Sequence, residues 1–393
     1  MKSKPASNTP ALIILLIGLV LAAVNMRSPL VMIGSIASTL QERLGLTASD
    51  IGYLGALPMP LFAVGSLFAP VLARRFGLEK MMIGMTLLLA IGVATRVWFG
   101  VMALYIGTLI LSFAIGMLNA LTAPFIKQYA PNNIALATAI FSLSMSTMAG
   151  IGAWVVLPIA TSTSWQMAMS FWGIFGLAAA LVWLYVYRTH HSPRQNPPIT
   201  NHQKFNAWRS ASAWQMAVLL GLQSFLFYAA ASFLPSIATW SGLSTSDANF
   251  SAFLFQIMAP LAILSLTILI KQGCPTRLIG VTGCAFNALG IFGIIYLPTY
   301  LPYWSAMMGF GCAMVFTLSL MMFSFRTQNT DHARDLSGMV QAVGYSLAVS
   351  GPLGVGLLFE YTGDWQVALW LLAALMLINL PFGYLATSDK QID

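Results

Sequence analysis

The sequence predicts an all-α integral membrane protein with twelve transmembrane helices in two pseudo-symmetric six-helix bundles. Of the 393 residues, 58% are apolar and only 7% are charged, against roughly 25% charged in soluble domains. Twelve apolar segments are long enough to cross a bilayer. Two short motifs recur at matching places in the two halves. Such a chain cannot cover a water-facing surface with polar groups, so a soluble protein is excluded.

The twelve predicted segments begin after Thr9-Pro10, a helix-start pattern with proline at the first helical position. The only long polar stretch, residues 189–212, divides the segments six and six. We therefore expect an N-terminal bundle (1–188), a cytoplasmic linker (189–212) and a C-terminal bundle (213–393). The segments cover residues 10–40, 47–73, 80–99, 103–129, 133–161, 165–188, 213–239, 246–270, 277–298, 302–326, 335–358 and 365–387.

Internal repetition supports this division. The motif GLTASD (Gly45–Asp50) before segment two recurs as GLSTSD (Gly242–Asp247) before segment eight. The pattern Trp-Gln-x-Ala opens segment six at Trp165 and segment twelve at Trp365. Because both motifs keep their place within a half, the halves are predicted to be copies in parallel orientation. Each copy of the first motif also resembles a capping box, which gives its aspartate a structural explanation.

The distribution of basic residues predicts the orientation. With a cytoplasmic N-terminus, fifteen of the eighteen lysines and arginines fall on the cytoplasmic side. The positive-inside rule therefore places both termini in the cytoplasm. The net charge of +8 is explained by these short loops, so no nucleic-acid partner is expected.

One arginine lies deep in the first segment. Sixteen apolar residues precede Arg27, which places it roughly 24 Å along the helix from Ala11. Such a charge costs about 3 kcal/mol even on the lenient insertion scale. We expect no Asp or Glu inside any segment to neutralise it, so a ligand is its predicted partner. The alternative is an arginine that bonds helix carbonyls between the bundles.

A second arginine, Arg96, ends segment three beside Val97-Trp98-Phe99. A cation next to an aromatic pair at a helix end is typical of a side chain that snorkels to the membrane interface. We therefore expect a structural role for Arg96.

Several stretches of the chain carry a family resemblance. They are Asn25–Arg27, Ala69–Gly77, Asn119–Lys127, the linker through Tyr228, Gln256–Pro260 and Ser337–Pro352. Together with the twelve segments they resemble the major facilitator superfamily and, within it, the cyanate-permease and 2-nitroimidazole-exporter branch. Around the loop after segment two, Arg75, Gly77 and Lys80 fit the family pattern, whereas Pro70 stands where a glycine is usual and Arg74 where an aspartate is usual.

The resemblance implies a secondary transporter of small compounds in a bacterial inner membrane, with its site between the halves. Segments 1, 4, 7 and 10, backed by 2, 5, 8 and 11, would line the cavity. The expected substrate-binding residues are Arg27, Asn25, Asn119, Gln223, Tyr228, Gln256, Gln341 and Tyr345. Each polar group could bond a solute or only bridge neighbouring helices. The expected gating residues are Arg75, Gly77, Gly351 and Pro352, the last two as a hinge or a close helix contact.

Other classes lack their motifs. No phosphate-cradling glycine loop, HExxH motif or Ser-His-Asp set is present in the sequence, so ATP drive and an enzyme are not expected. The three cysteines show no metal-binding spacing. We expect no cofactor and no metal, and the expected assembly is a monomer with a small-molecule substrate and the lipid bilayer as partners.

Two functions remain in view. The first is alternating-access transport of a small anionic or dipolar solute anchored by Arg27. The alternative is efflux of nitro-heterocycles or other small drugs, for which the aromatic residues of segments seven and eight would matter more. Because proton coupling usually runs through buried Asp, Glu or His, we expect facilitated or exchange transport, or coupling through the solute itself.

Overall fold

The computed structural model describes residues 9–189 and 205–392. Over these residues the chain forms fifteen α-helices and three short 3₁₀ helices at Pro131–Asn133, Ala207–Arg209 and Pro298–Tyr300. The α-helices are α1 (Thr9–Ser35), α2 (Ala37–Leu44), α3 (Ala48–Ala56), α4 (Pro58–Phe76), α5 (Leu78–Thr95), α6 (Gly100–Tyr129), α7 (Ile134–Ser162), α8 (Trp165–Ser170), α9 (Gly173–Thr189), α10 (Ala211–Trp240), α11 (Thr245–Lys271), α12 (Thr276–Tyr296), α13 (Leu301–Phe325), α14 (Thr330–Thr362) and α15 (Trp365–Leu385). Most of the predicted linker lies outside the described residues.

Twelve spans are long and apolar enough to cross a membrane within the described part of the chain, which confirms the predicted number. Three of the predicted segments are interrupted. The first ends at Ser35, and the separate helix α2 follows. The second consists of α3 and α4, because Pro58 lacks the amide needed inside a helix and starts a new one. The sixth consists of α8 and α9.

The repeated motifs cap equivalent helices. Thr47 Oγ1 accepts a bond from the Asp50 amide (3.2 Å), and Asp50 Oδ2 accepts one from the Thr47 amide (2.8 Å). In the second copy, the Ser244 hydroxyl accepts from the Asp247 amide (3.1 Å) and donates to its carboxylate (2.7 Å). Both aspartates therefore serve the helix starts, as the capping interpretation predicted.

The two halves repeat the same helix pairs. In the first half α1 packs on α7 and α9, α4 on α6, and α5 on α6 and α9. In the second half α10 packs on α14 and α15, α11 on α13, and α12 on α13 and α15. Across the halves, α4 contacts α14 and α7 contacts α11, again an equivalent pair. This arrangement is the predicted pair of pseudo-symmetric six-helix bundles.

Glycines let the helices approach closely at equivalent places. A Cβ atom on Gly65 of α4 would lie 2.5 Å from the Phe113 carbonyl oxygen of α6. In the second half, a Cβ on Gly309 of α13 would lie closer still to the Phe255 carbonyl oxygen of α11. Small residues at a helix interface bring backbones together in a membrane protein, where association depends on van der Waals packing.

Candidate substrate site

Arg27 projects from α1 into the junction of the two halves. Its side chain is half-buried, and its guanidinium carbon lies 4.6 Å from the centre of the Phe227 ring on α10. It forms no hydrogen bond or ion pair with any residue in the described ranges 9–189 and 205–392. The cation–π contact holds the guanidinium in place but leaves its N–H donors open to a ligand.

Aromatic side chains from both halves lie near this cation. Phe227 contacts Tyr228 and Phe255, with ring centres 5.2 and 5.6 Å apart. Phe62 of α4 meets Tyr345 of α14 edge to face at 5.5 Å. Tyr228 and Tyr345 both lie within range of the Arg27 charge. We call this group the aromatic cluster, and its members are Phe62, Phe227, Tyr228, Phe255 and Tyr345.

Asn119 and Gln341 also meet across the halves. Gln341 Nε2 donates to the Asn119 carbonyl oxygen (3.1 Å) and to the Ser337 hydroxyl (2.9 Å). The side-chain oxygens of both Asn119 and Gln341 are buried without a hydrogen-bond partner. Ser337, Gln341 and Tyr345 are spaced four residues apart, so they share one face of α14. The amide contact therefore lies one helical turn from the aromatic cluster.

Three predicted binding residues form no hydrogen bond with Arg27, Asn119 or Gln341 in the described part of the chain. Asn25 is fully buried and faces α9, because a Cβ on Gly176 would lie 3.5 Å from its amide nitrogen. Gln223 accepts a bond from Ser224 (3.1 Å), within the second half. Gln256 is exposed on α11. Their binding roles stay predictions.

Arg96 does not snorkel, and that prediction is wrong. Its side chain is fully buried, and Nη2 donates to the Pro29 carbonyl oxygen of α1 at 2.6 Å. Gly107 of α6 makes the inward path available, since any Cβ there would overlap the Cβ of Arg96. Trp98 and Phe99 remain exposed. The structural role expected for Arg96 is thus a bond to α1.

Polar bonds close the junction at one end of the helices. We call it the linker end, because α9 ends and α10 begins there. Lys127, near the end of α6, donates to the Ser324 carbonyl oxygen (2.6 Å) and to the carbonyl and hydroxyl of Thr327. The Ser324 hydroxyl donates to the Ala123 carbonyl oxygen (3.0 Å). Lys127 and Ala123 belong to the first half, and Ser324 and Thr327 belong to the second, so these bonds hold the halves together.

An ion pair extends this closure. Arg74 Nη2 lies 2.9 Å from Asp335 Oδ1, and Arg334 Nε lies 3.5 Å from the same oxygen. Arg334 in turn pairs with Asp331 at 2.8 Å. The linker-end latch, as we name it, consists of Arg74, Lys127, Ser324, Thr327 and Asp335.

Asp335 corrects one expectation. We expected no acidic residue inside a segment, yet several spans contain one near an end, Asp50 and Asp247 among them. Asp335, within the span Thr330–Thr362, has a side chain that is only 14% exposed. The interpretation of Arg27 survives, because this carboxylate pairs with Arg74 and Arg334 and not with Arg27.

The predicted gating residues lie in different surroundings. Arg75 is exposed, and its guanidinium carbon lies 5.4 Å from the centre of the Phe76 ring. The ion pair across the halves is made by its neighbour Arg74 and not by Arg75. Gly77 has a φ of 90° where α4 turns into α5, a conformation that favours glycine. A Cβ on Gly351 would lie 2.6 Å from the Phe225 carbonyl oxygen. Gly351, followed by Pro352 inside α14, is therefore a close helix contact.

Sequence reasoning missed Lys127 and Asp335 as contacts between the halves. Both lie at the ends of apolar segments, where charges are ordinary boundary residues. Surface cavities of about 430 and 450 Å³ lie at the two ends of the second half, one beside Cys274 and the other beside Asp247. Neither is lined by Arg27 or the aromatic cluster, so they do not bear on the site.

The fold and the site together describe a membrane transporter of a small solute. Residues 13–349 match the model of the Major Facilitator Superfamily. The chain belongs to that superfamily. It is therefore a multi-pass inner-membrane transporter and not an enzyme.

The relatives agree with this assignment. The 2-nitroimidazole transporter of Escherichia coli (strain K12) is 30% identical over 381 residues, covering 97% of each chain. The cyanate transport protein CynX of the same organism is 23% identical over 376 residues, covering 94% of this chain and 97% of the relative. The solved structure of the proton:xylose symporter XylE bound to 6-bromo-6-deoxy-D-glucose has a TM-score of 0.75 at 12% identity, covering 98% of both chains. The structural likeness supports the twelve-helix fold.

Proposed function

We propose that this protein carries a small planar solute with an anionic or strongly dipolar group across the membrane by alternating access. The observation that supports the proposal is the half-buried guanidinium of Arg27, which lies between the halves beside aromatic rings. It has no acidic or carbonyl partner among the described residues. Arg27 would serve as the anchor for the solute.

The chemistry of the site selects such a solute. A guanidinium presents a planar fork of donors that matches the two oxygens of a carboxylate or a nitro group. A charge inside a membrane protein is costly until it is paired, so an incoming anion lowers the free energy of both partners. The faces of Phe227 and Tyr228 can pack against a flat ring.

The named solutes of the relatives fit this description. A nitro-heterocycle offers two nitro oxygens and a flat ring, and cyanate offers a small linear anion. Both place an electron-rich end against a cation. The aromatic cluster favours the ring-bearing solute as the second candidate, an exported neutral nitro-heterocycle for which stacking outweighs the charge.

The closed linker end supports the proposal of alternating access. We propose that the bundles 1–188 and 213–393 rock about the site, joined by the linker 189–212, with both termini cytoplasmic. The described conformation would then be closed toward the cytoplasm by the linker-end latch. Its opening requires the bonds of Lys127 and Arg74 to break while the opposite ends close.

Binding measurements on the purified protein in lipid nanodiscs test the anchor. The probes are benzoate, cyanate and 2-nitroimidazole, and the variants are Arg27→Gln, Arg27→Lys and Phe227→Ala, with the exposed Arg43→Gln as a matched control. Arg27→Gln should weaken benzoate binding about 10- to 100-fold, because it removes charge-assisted bonds. The benzoate affinity of Arg27→Lys should lie between those of wild type and Arg27→Gln, since lysine keeps the charge but loses the planar fork of donors.

The outcomes separate the two candidates. Wild-type benzoate and cyanate affinity in Arg27→Gln would contradict the anchor. If only Phe227→Ala weakens binding, and only for 2-nitroimidazole, the neutral solute is favoured. Counterflow into liposomes without a proton gradient then tests transport, and we expect it to proceed in wild type and to slow in Arg27→Lys.

A further inference from the structure

We propose that Arg96 and Ser28 are positioning residues that fix the rotation of α1 and so aim Arg27 at the solute. The inference rests on the proposed function, because it assigns these residues a role through Arg27. Neither residue touches the aromatic cluster in any contact of the described chain.

Three consecutive residues of α1 are held by three different parts of the chain, namely α10, α7 and the turn after α5. Arg27 contacts Phe227 of α10. The Ser28 hydroxyl donates to the Met148 carbonyl oxygen of α7 at 2.7 Å. The Pro29 carbonyl oxygen accepts from Arg96 at 2.6 Å. Successive residues of a helix lie about 100° apart around its axis. The bonds at Ser28 and Pro29 therefore hold this turn of α1 from two directions, and Arg27 faces a third direction.

Both donors, Ser28 and Arg96, lie in tightly packed positions. Ser28 is fully buried, and a Cβ on Gly152 of α7 would lie 2.9 Å from the Cβ of Ser28. Arg96 is fully buried beside Gly107 of α6, which leaves no room for a side chain there. The close approach of α7 and α6 keeps these two donors against α1.

The turn that carries Arg27 needs such support. Pro29 has no amide, so the carbonyl of residue 25 loses its helical donor and α1 is weakened there. A helix interrupted in this way can kink or rotate locally. A carbonyl oxygen has two lone pairs, which allows Pro29 to accept from Arg96 in addition to its helical bond.

The burial of Arg96 argues against a packing role. Its Nε and Nη1 atoms have no partner, and none of the described carboxylates pairs with it. A buried unpaired charge is expensive, whereas an apolar side chain would fill the space without that cost. What the guanidinium supplies is a bond to α1 and a positive potential beside residues 27–29, which favours an incoming anion.

A double-mutant cycle on the full-length protein in nanodiscs tests the inference, with benzoate as the probe. Arg96→Lys and Ser28→Ala are each measured alone and combined with Arg27→Gln. Alone, Arg96→Lys should weaken benzoate binding about 5- to 10-fold, and Ser28→Ala should weaken it about 2- to 5-fold. In the Arg27→Gln background each effect should shrink to less than about twofold, because the residue they aim is gone. The exposed Arg43→Lys and Thr95→Ala serve as controls.

A purely structural role predicts a different pattern. Equal weakening in both backgrounds, or unchanged benzoate affinity in folded Arg96→Lys and Ser28→Ala, would overturn the positioning role while leaving the proposed anchor intact. Unchanged affinity in Arg27→Gln alone would remove the proposed function and this inference together. If Arg96→Lys fails to fold, Ser28→Ala decides, since it deletes a single oxygen.

Discussion

The linker-end latch and the surroundings of Arg27 differ in whether their polar groups have protein partners. At the latch, Lys127 donates to three acceptors and Asp335 pairs with two arginines. Around Arg27, the described chain offers an aromatic face and no acceptor. Both regions join the two halves. This difference is the basis for our proposal that the protein completes one contact for itself and leaves the other for a solute to complete.

This contrast yields the largest expected effect. Lys127→Met removes a half-buried ammonium and leaves its acceptors without their donor, so the linker end should open more readily, by at least about tenfold in population. Spin labels at the exposed positions Asn132→Cys and Gln272→Cys, in a Cys274→Ser background, report the distance across that end by electron paramagnetic resonance. A longer-distance population should appear.

The matched control for this experiment is Lys80→Met, since Lys80 is an exposed lysine in the same half. It should leave the distance distribution as in wild type. An unchanged distribution in Lys127→Met would mean that the latch does not hold the closed conformation, and the comparison between the two regions would fail.

The ion pair of the latch should contribute less. Arg74 is 58% exposed, and exposed pairs are typically worth about 0.2–1 kcal/mol. A cycle of Arg74→Gln and Asp335→Asn should therefore show a coupling of up to about fivefold in the open population, and high salt should reduce it. Neutral substitutions are used because a charge swap would place two arginines together at residues 334 and 335.

The neighbouring Arg75→Gln should change the open population by less than about twofold, because Arg75 only covers Phe76. Coupling that persists unchanged in high salt would contradict a solvent-screened ion pair. An effect of Arg75→Gln equal to that of Arg74→Gln would instead support the gating role that the sequence assigned to Arg75.

The smallest effect is expected between the two regions, at Gln341. Gln341→Met keeps the size of the side chain and removes two hydrogen bonds, to the Asn119 carbonyl oxygen and to the Ser337 hydroxyl, together with one buried unpaired acceptor. The free energy of unfolding should change by less than about 1 kcal/mol. Benzoate and 2-nitroimidazole affinities should stay within about twofold of wild type. Thermal unfolding and nanodisc binding measure both quantities.

A tenfold or larger loss of affinity in Gln341→Met would show that Gln341 contacts the solute directly. The same pair of measurements on Ser346→Ala provides a control from the same helix, since that hydroxyl bonds only its own helix. The test thus decides between the two roles that the sequence left open for polar residues in the spans.

The spans and the place of Arg27 inside the first of them could be predicted from the sequence, because hydropathy and a lone intramembrane charge are properties of a local stretch. The capping box at Thr47 and the N-cap at Ser244 are equally local, and the structure contains both. Interruptions such as the one at Pro58 follow from proline chemistry, although the apolar pattern runs through them.

The contacts across the halves could not be predicted, because they depend on which side chains the closed junction brings together. Arg74 and Arg75 are adjacent in sequence, and only the packing of α4 on α14 selects Arg74. Arg96 looks like an interfacial arginine until the space beside Gly107 is known. The bond from Lys127 to the carbonyls near Ser324 joins residues about two hundred positions apart.

The contact between Arg27 and Phe227 also has a geometric consequence. The repeated motifs lie 197 and 200 residues apart, so the second-half counterpart of Arg27 falls within residues 224–227, and Phe227 is the residue that it touches. The matching region thus holds a cation in the first copy and a ring in the second. If Arg27 binds the solute as proposed, a molecule with unlike ends would be held in a single orientation, so the same end should lead on every passage.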